Sequence, residues 1–111
     1  MQQGDDAVAA SLGDEKVLQS FKLIVSLVGE LMALVPEADA WGRANGHPEV
    51  QRYPQYERVR QIGQEFDALG GLAGMQKALL ATQRRLADHP PQKYSYAIVN
   101  HGWSGVGSWQ A

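Results

Sequence analysis

Hydrophobic positions recur along residues 17–35 at the spacing of an α-helix. Val17, Phe21, Ile24, Val28, Leu31 and Val35 are separated by alternating steps of four and three, which places them on one side of a helix with 3.6 residues per turn. Leu18, Val25 and Met32 flank that stripe on one edge, and Leu23, Leu27 and Leu34 on the other. At 100° per residue the apolar arc covers roughly 220° of the circumference, about twice what a surface helix needs. Glu15, Lys22, Ser26, Gly29, Glu30 and Ala33 are left to face water. Such a helix needs cover on at least two sides, from its own chain or from a second copy.

The flanking stretches carry weaker patterns. Residues 1–13 are rich in Gln, Asp, Ala and Gly without periodicity, and read as a frayed leader. Ser11 or Asp14 can cap the first helix, the acids Asp14 and Glu15 suit its positive end, and Pro36 is expected to stop it. Residues 36–48 hold two prolines and two glycines and read as a connector, with room for one helical turn and with Trp41 as an anchor on the core. A second helix is predicted from Pro54, with Tyr56, Val59, Ile62, Phe66 and Leu69 inward and Arg58, Arg60, Gln61, Gln64, Glu65 and Asp67 in water. Gly63 allows close approach, and Gly70-Gly71 is expected to end the helix. A third helix over 72–88 turns Leu72, Met75, Leu79 and Leu86 inward, and a fourth begins at Pro91 and carries Tyr94, Ala97, Ile98 and His101. Tyr94–Val99 has strand propensity as well, but no other strand is predicted to pair with it.

The chain closes on Gly102-Trp103-Ser104-Gly105-Val106-Gly107-Ser108-Trp109. Two indoles and a valine spaced by glycines are too apolar for a free tail, so both rings are expected to fold back over the helices, each N–H finding an acceptor. The predicted fold is all-α: a small four-helix bundle-like domain over residues 14–111, with the Trp/Gly-rich tail packed on it.

Composition narrows the function classes. An apolar share of 44% with 20% charged residues is that of a globular domain. The net charge of −2 conceals an asymmetry: residues 1–40 hold seven acids against Lys16 and Lys22, and the remainder eight bases against five acids. An acidic leader and a mildly basic body could attract one another or a partner. With no cysteine, disulfides, thiolate chemistry and Cys-ligated zinc are excluded. The N-terminus has no basic region or early apolar run of the secretory kind. Lys22 and Glu30 interrupt the apolar run that would otherwise suit a membrane span, so no span is expected and a cytoplasmic location is.

The segment from Arg58-x-x-x-Ile62-Gly63 through Leu69-Gly70-Gly71-Leu72-x-x-Met75-Gln76, with the ending Trp103-x-Gly105-Val106-Gly107-x-Trp109, resembles short bacterial proteins of no known activity that share a W-x-G-[IV]-G-x-W tail. The resemblance covers roughly the C-terminal half and implies a bacterial origin and an all-helical fold.

Candidate chemistry is sparse. His47, His89 and His101 show no H-x-x-x-H spacing, so no local metal pair is expected. No cofactor is implied: the Gly102–Gly107 run lacks the lysine, the preceding strand and the following helix of a phosphate loop. The acid pairs Glu37/Asp39 and Glu65/Asp67 point in different directions on a helix and read as solvated. Arg52, Arg58, Arg60, Lys77, Arg84 and Arg85 are diluted by acids, and a pI near 5.8 does not favour nucleic acid. What remains is a small non-enzymatic interaction or regulatory module. It would use helix 14–35 for self-association or a protein partner, with Leu23, Leu27 and Leu34 as the candidate interface. The alternative is an enzyme or ligand-binding domain with a pocket under Trp103 and Trp109, near His101, Tyr94 and Tyr96. DNA binding stands third.

Overall fold

A computed structural model describes the backbone of residues 2–87 and 93–110 and the side chains of residues 15–87 and 96–110. The described residues form three helices and a 3-10 turn, with no strand: α1 (Gln2–Ala44), the turn Val50–Arg52, α2 (Tyr56–Arg85) and α3 (Lys93–Trp103). The all-α expectation is met, and the last segment is helix rather than strand. Four separate helices are not present. The second and third predicted helices are the two limbs of α2, which meet at a kink at Gly71, whose φ of 63° and ψ of −156° are non-helical. The break folds the chain back on itself. A Cβ on Gly74 would lie 3.3 Å from the carbonyl oxygen of Phe66, whereas residues eight apart on a straight helix are about 12 Å apart. Only glycine takes that φ without strain.

α1 departs most from expectation. It begins at Gln2 rather than at residue 14, and it runs through Pro36 to Ala44. Proline removes one backbone hydrogen bond from a helix interior, but the turns beyond it are held by burial. Val35 lies on one side of Pro36, and Ala38, Asp39 and Gly42 on the other, all buried. Trp41 packs at 5.6 Å from the Tyr53 ring, the anchoring role expected of it. Asp39, although 7% exposed, is paired with Arg43 at 3.1 Å.

The core joins Leu27, Val28, Leu31, Val35 and Ala38 of α1 to Val59, Ile62, Phe66, Met75 and Ala78 of α2. Ile98, Val99 and Trp103 of α3 complete it. Glu30 and Arg58 clamp α1 to α2: the guanidinium donates from Nε at 2.7 Å and from Nη2 at 2.6 Å to the two carboxylate oxygens. These two residues were expected to face water separately. The fork holds the Glu30 carboxyl below its ordinary range, chiefly through the Arg58 hydrogen bond.

The cover on α1 is incomplete. Residues 15–26 are exposed throughout, and burial begins only at Leu27. A helix of 43 residues measures about 65 Å, matching the longest molecular dimension of 68 Å against 29 and 20 Å across. α1 is therefore a beam along the long axis of the molecule, and its residues 15–26 lie outside the core. Of the two sources of cover that the sequence leaves open, the chain itself supplies it from Leu27 onward and not over residues 15–26.

Candidate functional site

Two regions gather the residues singled out in the sequence, and they differ in kind. At the C-terminal tail, α3 delivers Trp103 into the core with no exposure. Its indole lies flat on α2 because residue 63 has no side chain, and a Cβ there would sit 2.5 Å from Cδ1 of the ring. The indole N–H donates to the carbonyl of Val59 at 2.8 Å. Phe66 and Trp109 flank the ring with centroids at 6.0 and 5.0 Å, the second edge-on at 82°. Tight turns bring Trp109 there: Val106 N–H bonds to Trp103 at 2.9 Å and Trp109 N–H to Val106 at 3.0 Å. Gly105 and Gly107 supply positive φ, and Gly107 lies against the Asp67 carboxylate. Both indoles fold back as expected, but only one finds an acceptor; the Trp109 Nε1 is buried without a partner.

His101 stands outside this packed core with its ring exposed. Its Nδ1 lies 2.7 Å from the Tyr56 hydroxyl and its Nε2 3.0 Å from the Gln51 side-chain nitrogen. Both ring nitrogens are therefore occupied by neutral groups, the arrangement of a latch between α3, α2 and the 3-10 turn. Nearby, Arg60 donates to the carbonyls of Gly102 and Ser104 at 3.1 and 3.2 Å, satisfying oxygens left over at the end of α3. Tyr96 is buried with its hydroxyl unpartnered, and burial pushes its phenol above the ordinary range. Burial does the same to Tyr53, helped by the Glu37 carboxylate, although the two make no hydrogen bond of normal geometry. The side chain of Tyr94, like His89, lies outside the described residues.

Two clefts open beside the tail. Leu72, Gln76, Ser108, Trp109 and Gln110 line one of about 370 Å³, and Ser104–Gln110 backbone and side chains line another of about 450 Å³. His101, Trp103 and Tyr96 line neither. No group of three His, Asp or Glu side chains able to hold a metal occurs among the described residues.

The second region is the bare part of α1. Val17 is 71% and Phe21 62% exposed, and Leu18, Leu23, Ile24 and Val25 are between 38% and 50%. The predicted interface residues separate here: Leu27 is buried in the core and Leu34 packs against it, leaving Leu23 alone on the surface. Where the bare stretch meets the bundle there is an apolar notch of about 280 Å³. Ile24 and Val28 form one wall, Phe66 and Leu69 the floor, and Gly70, Gly74, Ala78 and Ala81 the other wall, with Lys77 at its rim. The sequence reading overlooked this notch. Its signal was the run of small residues at 74, 78 and 81, which repeats at helical spacing on the limb of α2 beyond Gly71 and leaves that face hollow beside Gly70.

The segment Glu15–Ala44 is long and apolar enough to cross a membrane, and 17% of its most apolar window is buried. Among the residues whose side chains are described, 15–26 of that segment are exposed throughout, and from Leu27 onward α2 and α3 cover one face of it. Compared with known protein families, characterised proteins and solved structures, the chain matches none.

Proposed function

We propose that the protein is a small helical interaction module that works by presenting the apolar arm of α1, residues 15–26, to another protein surface. One observation carries this reading. Six large apolar side chains that continue the stripe already packed inside the molecule stand in water, an arrangement that marks association sites in folded proteins. The bundle then acts as a base: the Arg58–Glu30 fork, Trp103 and the latch at His101 hold α1 at a fixed angle so that its free half projects. In this reading the residues around His101 and Trp103 are structural, because both histidine nitrogens are engaged by neutral partners and the Trp103 indole is packed in the core. This reading places the arm in water. Asp5, Asp6, Asp14 and Glu15 at its free end disfavour an anionic membrane surface, consistent with a cytoplasmic location.

A photo-reactive phenylalanine analogue at position 21 tests the reading in living cells. Protein adducts should form at position 21 and disappear when Val17→Asp is added on the same face. A residue at position 21 that yields no protein adduct would overturn it.

A further inference from the structure

Three features of the molecule remain unabsorbed: the clefts beside the tail, the orphaned polar atoms of Tyr96 and Trp109, and the notch at the foot of the arm. The clefts are open and carry no charged side chain, and the two orphaned atoms are buried singly with no second polar group beside them to form a site. The notch and arm together carry an inference. We infer that the occupant of the arm is a second copy of this chain, docked antiparallel, so that each arm lies along the other and reaches the other's notch; this rests on the interaction reading above.

The first argument is electrostatic. Residues 68–87 contain Lys77, Arg84 and Arg85 and no acid, while residues 2–15 contain Asp5, Asp6, Asp14 and Glu15 and no base. Opposite charges of this kind attract, but here they cannot meet within one molecule. α1 is a single helix, so Glu15 is held nine residues, about 13 Å, beyond Ile24 at the notch, and the earlier acids farther still. A chain running the other way brings its acidic end past the notch, where Lys77 stands at the rim and Arg84 and Arg85 follow on the same limb of α2.

The second argument is register. The stripe reads as alternating a and d positions, with Phe21 and Val28 at a, Val17 and Ile24 at d. Antiparallel helices pair a with d. A two-fold axis passing between residues 22 and 23 sets Phe21 opposite Ile24 of the second copy, and Val17 opposite Val28 at the mouth of the notch. The flanking Leu18 and Val25 of the two copies are then offset by two positions from direct opposition, diagonal neighbours beside the same axis. Self-complementary pairing of this kind is what a closed two-fold interface requires.

The third argument is area. The six exposed side chains present on the order of 500 Å² per copy, about the largest apolar patch an ordinary monomer carries. Covering it on two copies removes about 1,000 Å², and the polar residues between raise the total into the range of about 1,200–2,000 Å² of specific interfaces. A heterologous partner would have to supply the same apolar helix and the same acidic end. The chain already holds both.

Sedimentation equilibrium on the full chain tests the proposal, with distance measurement between copies. A dimer is expected at micromolar concentration, dissociating in Phe21→Asp, whose site is 62% exposed and outside the core; its circular dichroism confirms that the bundle remains folded. Combined Lys77→Glu, Arg84→Glu and Arg85→Glu should weaken the dimer by tenfold or more, and Asp14→Lys with Glu15→Lys should restore it. The chain has no cysteine, so Ala40→Cys gives one spin label per copy. An antiparallel pair separates the labels by about 50 Å and a parallel one by less than about 20 Å. A strict monomer at 100 µM, or the short distance, overturns the inference. If the adduct at position 21 still forms in cells while the purified chain is monomeric, the interaction reading survives and only the second copy is lost. If neither is seen, both fall.

Discussion

At the scale of single residues, the stability of the domain depends on how closely Trp103 approaches α2. A methyl group at position 63 would overlap the indole, so Gly63→Ala is expected to cost about 1–3 kcal/mol by overpacking, read by denaturant unfolding. The two tail tryptophans should respond differently to loss of the ring nitrogen. Trp103 donates to Val59, and replacing it with Phe removes a buried hydrogen bond along with ring volume. Trp109 donates to nothing, so its Phe variant removes an unpaired donor. Trp103→Phe should be the costlier by about 1 kcal/mol or more. The Glu30–Arg58 fork adds a pH dependence. Because the folded carboxyl titrates below its unfolded value, the stabilisation is present above that value and is lost as pH falls through the lowered one. The pair is about one-third exposed, so Glu30→Gln should cost only about 0.5–1 kcal/mol. That cost should be visible at neutral pH and vanish in acid.

At the scale of elements, periodicity located the helices and misjudged their ends. The stripe from Val17 to Val35 is one face of a helix as read, yet the helix does not stop at Pro36. Local stop signals lost to burial of Ala38 and Asp39 beyond the proline, contacts made with sequence-distant segments and so invisible in the local pattern. Gly70-Gly71 marked the fold-back correctly, and the two limbs that meet there are the two kinked parts of α2. The inward stripe of the second predicted helix holds for Val59, Ile62 and Phe66, while Leu69 is 38% exposed because it ends up at the floor of an unfilled notch. The candidate site was legible only as a surplus. The width of the apolar arc showed that something must cover it, but a helical pattern carries no information on which half its own chain leaves bare. Pro36 offers a test at this scale. Its ring is exposed and its missing N–H leaves one carbonyl of the preceding turn without its helical donor. Pro36→Ala should therefore raise the melting temperature, with a gain of up to about 3 kcal/mol, and should leave the arm's direction unchanged if burial already dictates it.

At the scale of the whole molecule, the protein divides into a packed base and a beam. The base has several anchors that act together, whereas residues 15–26 are exposed throughout and approach α2 only at Ile24. Helices of this length are marginal in water without tertiary support. In dilute solution, amides of residues 15–26 should exchange hydrogen faster than those of residues 27–44, and raising the protein concentration should slow the first group selectively. The placement of the indoles has an optical consequence. All three tryptophans, Trp41, Trp103 and Trp109, belong to the base, and the sequence holds no tryptophan or tyrosine before Trp41. Intrinsic emission therefore watches only the base and is blind to the beam, while far-ultraviolet ellipticity counts every helical turn of both. Melting curves followed by the two signals should part at low concentration and merge at high concentration, so that one unlabelled sample reports separately on the two halves of a single helix.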